Sequence, residues 1–184
     1  MILQECYTLV LKGHISLARA IFPKGSKGSQ MDSFAREHLW NYGLNFLHGT
    51  GHGIGMFLNV HEGPQRISPS SSDSAFEIGN VLSNEPGYYE NGKFGIRIEN
   101  MMTVVPISTK YNFNETTFFG FETLSFIPMD LNLIDASMLD CREIHWLNNY
   151  HMKCLEYILP ELEKFNFTDG IEFLRKNTCQ LKIN

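Results

Sequence analysis

Gly95-Ile96-Arg97-Ile98-Glu99-Asn100 alternates apolar and charged residues with a period of two. In a strand, successive side chains point to opposite faces, so Ile96 and Ile98 share one face while Arg97 and Glu99 share the other. The apolar face needs a core, and the other face then presents a carboxylate two residues from an arginine. Just upstream, Glu90-Asn91-Gly92 joins this run, Gly95 to Val105, to a second strand-like run, Val81 to Asn84. Asn-Gly between strands is a strong hairpin signal, because both residues accept the positive φ that a tight turn requires. A further strand is expected over Thr123 to Met129.

Helical patterns flank these strands. Leu9, Val10, His14, Leu17, Ala18 and Ile21 recur at helical intervals in Ile2 to Phe22, with a break expected near Gly13 and a stop at Pro23. Ser29 and Asp32 have capping-box spacing, and the helix they open should bury Met31, Phe34, Ala35 and Leu39 and stop at Gly43. After Asp135 the pattern is helical again. Met138, Ile144, Leu147, Tyr150, Cys154, Leu155 and Ile158 lie on one face, Pro160 is expected to kink or end that helix, and a short helix over Ile171 to Cys179 closes the chain. Helices, then strands, then helices make an α+β chain.

Between the second helix and the strands, glycine stands at positions 49, 51, 53 and 55. This spacing forbids a stable helix and predicts an extended segment packed closely against another part of the chain. If it is extended, His48, Thr50 and His52 share a face. A polar loop follows from Ser68 to Ser74.

The 184 residues suffice for a sizeable core, and 43% hydrophobic with 19% charged is the balance of a soluble globular chain. Net charge is −5, with basic residues scattered, which argues against nucleic acid or an anionic membrane surface as a partner. The longest apolar stretches, such as Met101-Met102-Thr103-Val104-Val105, are far too short to span a bilayer. Residues 1–10 do not have a signal-peptide pattern, so Cys6, Cys141, Cys154 and Cys179, which lack metal-type spacing, are expected as reduced thiols in a cytoplasmic protein. In that compartment the sequons at Asn114 and Asn166 carry no meaning.

Three clusters carry chemistry: Leu47 to Gly55 continuing to Asn59-Val60-His61-Glu62-Gly63-Pro64, then Ser83-Asn84-Glu85-Pro86-Gly87-Tyr88-Tyr89, then Gly95 to Asn100. Taken singly, each has a plain reading: a glycine-rich loop with incidental histidines, a strand-terminal acid, a sheet face with a salt bridge. Pro86 holds Glu85 extended. Three histidines within 14 residues tilt the balance toward chemistry, since imidazole is the commonest metal ligand. One imidazole and two carboxylates suit Mn²⁺, Co²⁺ or Zn²⁺, and the lack of thiolates disfavours a structural zinc site. Spacing alone reaches no further than a candidate metal site.

His48-Gly-Thr-Gly-His52-Gly, Phe57-Leu-Asn-Val-His61-Glu-Gly-Pro, Asn84-Glu85-Pro-Gly-Tyr-Tyr and Gly95-Ile-Arg-Ile-Glu99-Asn together resemble aminopeptidase P, the Xaa-Pro branch of the pita-bread metallopeptidases. Trp146-Leu-Asn-Asn-Tyr-His151 resembles the helical tail of that family's cytosolic branch, so the resemblance covers nearly the whole chain. It implies a partial pita-bread (creatinase/aminopeptidase) fold over 1–135 and a helical C-terminal extension over 136–184. It implies metal ligation by His52, Glu85 and Glu99, with Glu99 bridging two divalent ions, Mn²⁺ by resemblance. His48 and His61 would contact the substrate and move protons, Glu85 would take up a proton, and Arg97 would support the carboxylates and help to bind substrate. The implied reaction is hydrolysis of the bond before a proline at the second position of a peptide, by a homodimer.

The resemblance also marks a departure. The family's other two ligands are aspartates on strands preceding the first helix of this chain, and upstream of His48 the only acids are Glu5, Asp32 and Glu37. The chain is therefore expected to be a C-terminal portion: a fragment, a short isoform or an incomplete gene model. The alternative is a non-catalytic binding or regulatory module.

Overall fold

The hairpin signalled by Asn91-Gly92 organises the architecture. A computed structural model describes residues 2–70 and 74–182. In chain order it contains α1 (Ile2–Ala18), β1 (Ile21–Pro23), α2 (Gly28–Trp40), β2 (Gly51–His52), β3 (Arg66–Ile67), β4 (Val81–Asn84), β5 (Gly87–Glu90), β6 (Phe94–Arg97), β7 (Asn100–Ile107), β8 (Phe118–Thr123), α3 (Cys141–Lys164) and α4 (Thr168–Asn177), with short 3-10 turns at 113–115, 131–133 and 136–138. Part of the expected loop Ser68 to Ser74, residues 71–73, lies outside the described residues.

The chain divides into two compact units. One is Leu9–Ser125; the other joins the residues up to Thr8 to those from Phe126 onward. In the first, an antiparallel sheet of order β1-β8-β7-β4 is built round Leu17, Phe22, Phe76, Leu82, Val104 and Phe119, all buried. Each such side chain contributes roughly 1.5–3 kcal/mol on burial.

The expected run Val81 to Asn84 is β4, with β5 as a further strand beyond it; the run Gly95 to Val105 is broken once, between β6 and β7, and the break falls at the chemistry. β4 pairs with β7 and β5 with β6 in one unbroken register, from Val81↔Thr103 through Asn84↔Asn100 and Gly87↔Arg97 to Glu90↔Phe94. The missing rungs oppose Glu85 to Glu99 and Pro86 to Ile98. Pro86 has no N–H to give the ladder, and the Glu85 amide donates instead to Thr50 O, at 2.8 Å. Ile96 and Ile98 are buried while Arg97 and Glu99 are exposed, as the alternation requires. Gly92 closes the hairpin tip with φ +71°.

Several local expectations are corrected. Gly13 does not break α1. A Cβ there would lie 2.2 Å from the Ala35 carbonyl oxygen, so this glycine lets α1 and α2 approach closely. α2 starts one residue before Ser29, and its cap is Lys27, whose amide donates to Gln30 Oε1 at 2.7 Å. Asp32 is buried, and Phe34, expected inside, is exposed. The strand expected over Thr123 to Met129 ends at Thr123 and begins earlier, at Phe118.

In the second unit, α3 runs through Pro160 to Lys164 rather than ending there. Its start is a reciprocal capping box: Asp140 accepts from the amides of Arg142 (2.7 Å) and Glu143 (2.8 Å), and Glu143 Oε2 accepts from the Asp140 amide (2.8 Å). Ile144, Leu147, Tyr150 and Cys154 form its buried stripe, and burial pushes the Cys154 thiol up to about 11. The four cysteines form no disulfide. No helix among the described residues is long and apolar enough to cross a membrane.

Candidate metal centre

The glycine-rich segment is extended, as its composition predicts, and two of its glycines are steric necessities. A Cβ at Gly51 would sit 2.1 Å from Ser83 O, and one at Gly53 would sit 1.9 Å from Glu62 O. Gly51 and His52 pair with Ile67 and Arg66, and Gly53 bridges to Leu82. β2 is thereby laid against β4, and His52 is brought to Glu85.

Ligand atoms of His52, Glu85 and Glu99 all lie within 4.8 Å of one another. His52 Nε2 is 3.2 Å from Glu85 Oε1. Its Nδ1 lies 2.9 Å from Gly53 O, an oxygen that only accepts, so Nδ1 carries the hydrogen. Nε2 is left facing the Glu85 carboxylate, at a distance one cation could share. Glu85 and Glu99 face each other by register in the gap between the β4–β7 and β5–β6 ladders, where like charges are unfavourable. The same donor set, one imidazole and two carboxylates without sulfur, suits a divalent ion of the Mn²⁺–Zn²⁺ series. The residues therefore fit a metal.

Around this trio the support is specific. Ser83 Oγ accepts from the His52 amide at 3.0 Å and donates to Glu85 Oε1 at 3.0 Å. Arg97 Nη1 lies 3.5 Å from Glu85 Oε2. Arg97 Nε donates to the Tyr89 hydroxyl at 2.8 Å, which donates in turn to His48 Nε2 at 2.9 Å, while His48 Nδ1 donates to Gly49 O at 2.8 Å. Partial burial opposes the Arg97 charge, but the Tyr89 hydroxyl, Glu85 and Glu99 outweigh it and hold the guanidinium pKa above its ordinary value.

A cleft of about 370 Å³ is lined by His48, His52, His61, Ser68, Glu85 and Arg97, among others. The His52 and His61 rings meet edge to face with centroids 4.3 Å apart. The geometry thus gathers every expected site residue into one region. Glu99 lies outside the lining of this cleft but inside the three-residue cluster. Thr50 departs from the expected shared face: its side chain is fully buried and donates to Asp32 Oδ1 at 2.6 Å. Ser83 and Tyr89 were not singled out from sequence. Strand alternation puts Ser83 on the Glu85 side, and the hairpin register sets Tyr89 opposite Gly95, beside Arg97.

The comparisons with known proteins agree with this geometry. Residues 2–106 match the model of metallopeptidase family M24, and residues 117–181 match the C-terminal region of peptidase M24. A probable Xaa-Pro aminopeptidase P of Fusarium vanettenii is 49% identical over 97% of this chain and 29% of its own length. Xaa-Pro aminopeptidase 1 of Dictyostelium discoideum is 47% identical over 93% of the chain and 27% of its own. The chain thus spans under a third of the length of these relatives. The crystal structure of an X-prolyl aminopeptidase from Caenorhabditis elegans, described as a cytosolic enzyme with a di-nuclear active site, superposes with a TM-score of 0.91 at 40% identity, covering 98% of this chain and 29% of that one. With four motifs in order, a hairpin that opposes two glutamates, and two family models matching 2–106 and 117–181, the chain belongs to metallopeptidase family M24 and has the pita-bread fold of its aminopeptidases.

Proposed function

We propose that this chain carries His52, Glu85 and Glu99 as ligands of a divalent metal centre that hydrolyses the bond between an N-terminal residue and a following proline. The observation that carries the reading is that Glu85 and Glu99 face each other in the gap between two ladders of one register, with ligand atoms of both and of His52 within 4.8 Å of one another. Two ions, Mn²⁺ by family likeness, are the proposed cofactor, which His52, Glu85 and Glu99 would help to hold. Bound ions supply Lewis acidity, activating a water and polarising a carbonyl.

The chain's own residues divide the remaining work. Glu85 Oε1, already accepting from Ser83 Oγ, is the acceptor for the proton that the attacking water gives up. His48 faces the cleft with its tautomer fixed by Gly49 O and Tyr89, and holds the substrate carbonyl region. His61, across the cleft beside His52, contacts the substrate and relays to the leaving nitrogen the proton that Glu85 took up, which returns both groups to their starting state. Arg97 neutralises Glu85 and keeps the carboxylate in place. Because the bond before proline has no N–H, selectivity comes from the shape of the cleft rather than from a hydrogen bond to that nitrogen.

Three ligands hold two divalent ions weakly, so further carboxylates complete the centre, and this chain alone turns over slowly. A homodimer in the cytosol is the proposed working form. The test is hydrolysis of an Xaa-Pro peptide by the purified chain with Mn²⁺, compared with chelator and with a peptide lacking proline. Metal-dependent, proline-dependent cleavage that rises when the family's upstream aspartate strands are added supports the reading. Cleavage that ignores chelator or proline sinks it.

A further inference from the structure

Asp32 and Arg36 stand one turn apart on α2, more than nine-tenths buried, and neither belongs to the metal cluster. Their fork is bidentate: Arg36 Nε donates to Asp32 Oδ2 at 2.6 Å, and Nη2 donates to Oδ1 at 3.2 Å. The remaining guanidinium donors leave the pair altogether. Nη1 reaches Phe46 O at 2.5 Å and Asn45 Oδ1 at 3.2 Å, and Nη2 reaches His48 O at 2.8 Å. The guanidinium carbon lies 3.9 Å from the centre of the Phe46 ring, which itself lies 4.8 Å from the His48 ring. Asp32 Oδ1 also accepts from Thr50 Oγ1, and Thr50 O accepts the Glu85 amide.

We infer that Asp32 and Arg36 are positioning residues, a buried clamp that fixes the backbone on both sides of His48 and, through Thr50, the backbone of Glu85. A buried ion pair is a poor source of stability, since well-packed apolar residues of similar volume usually do as well. What this pair supplies instead is geometry. The segment between α2 and β2 contains glycine and has no ladder of its own before Gly51, so its carbonyls need donors from elsewhere. Only a planar guanidinium can bond a carboxylate in two places and two backbone carbonyls at once. The role of His48 in hydrolysis rests on the proposed function; the positioning of its ring does not.

The test is Arg36→Lys, which keeps the charge opposite Asp32 but cannot reach Phe46 O and His48 O together. Imidazole nitrogen signals are followed by NMR in histidine-labelled full chain, with Tyr89→Phe used to assign His48. The expected result is a displaced and broadened His48 signal, with His52 signals unmoved and the cooperative unfolding transition kept. In a form that turns over Xaa-Pro peptide, kcat falls about tenfold with little change in Mn²⁺ affinity. An unaltered His48 signal in the folded variant overturns the clamp, as does an equal disturbance of His48 and His52. If Arg36→Lys fails to fold, Asp32→Asn decides, because it keeps an acceptor for Thr50 while weakening the grip on Arg36: a selective His48 change supports the clamp and none overturns it. A wild-type chain that never hydrolyses Xaa-Pro peptide, yet shows the selective His48 response, refutes the proposed function and leaves the clamp standing.

Discussion

Glu99→Gln has opposite consequences with and without metal, and the sign change follows from the hairpin. Glu85 and Glu99 face each other in the gap between the β4–β7 and β5–β6 ladders, with ligand atoms no more than 4.8 Å apart. Two unit charges at that separation repel by roughly 3.5 kcal/mol at an effective dielectric of 20 and about 0.9 kcal/mol in water. Glu99 is exposed and Arg97 lies 3.5 Å from Glu85, which push the value to the lower end. Removing the charge should therefore stabilise the metal-free chain by about 0.5–1 kcal/mol, or roughly 1–4 °C in Tm for a chain of this size. With free Mn²⁺ at about 100 times its Kd, wild type gains about 2.7 kcal/mol, roughly 5–10 °C, and the variant gains far less. Thermal unfolding followed by circular dichroism, once in chelator and once in excess Mn²⁺, should show the order of the two proteins reversing. A variant less stable than wild type in chelator, or stabilised equally by Mn²⁺, refutes the reasoning.

Acid should destabilise the fold through two buried histidines. Burial pushes His14 down to about 3 and His151 down to about 4 from an ordinary 6.5, and the amide of Met129 donates to His151 Nε2 at 3.1 Å. Between about pH 4 and 6.5 the unfolded chain binds these protons and the folded chain does not, so stability is full above pH 6.5 and falls as pH drops through that window. Each histidine contributes up to about 1.4 kcal/mol per pH unit. Urea midpoints at pH 7.5, 6 and 5 should decline steadily, and a flat profile contradicts the assignment. Gly51→Ala forces a Cβ to within 2.1 Å of Ser83 O. It should cost about 1–3 kcal/mol and weaken Mn²⁺ binding in a calorimetric titration, because His52 is the next residue. Tyr150→Phe removes the hydroxyl that bonds both backbone groups of Ile127, at 2.7 and 3.0 Å; because Ile127 is exposed and water can take its place, a loss of about 0.5–1.5 kcal/mol is expected in urea denaturation.

Local physics made much of this architecture legible in the sequence. The alternation through Ile96, Arg97, Ile98 and Glu99 assigned the two faces of that segment, and Asn91-Gly92 located the hairpin tip. Those two facts do not contain the opposition of Glu85 and Glu99: the loop takes in Lys93 as well, so Glu90 pairs with Phe94 rather than Lys93, and that one-residue difference decides which residue faces Glu85. The glycines at 51 and 53 announced a close approach without saying to what; Ser83 and Glu62 are 32 and nine positions downstream of them, and no local pattern names such partners. The same limit explains Gly13, which reads as a helix break in isolation and is a helix–helix contact in the fold. It also explains Asp32, whose spacing from Ser29 imitates a cap while its carboxylate serves Arg36 and Thr50. Tyr89 lies in a motif legible in the sequence, but its roles, bonds to His48 and Arg97, need three separate segments to be placed at once.

Everything proposed for this site depends on His52, through Nε2 and together with Glu85 and Glu99, holding a divalent ion. Proton NMR of the Co²⁺-loaded chain tests it most directly, since a coordinated imidazole that keeps its Nδ1 hydrogen, here bonded to Gly53 O, gives a strongly shifted, solvent-exchangeable resonance. Such a resonance is expected in wild type, with its loss in His52→Ala and a marked weakening of Co²⁺ binding in Glu85→Gln and Glu99→Gln. Shifted exchangeable resonances that persist in His52→Ala, or Co²⁺ affinity unchanged by both glutamate substitutions, would contradict it.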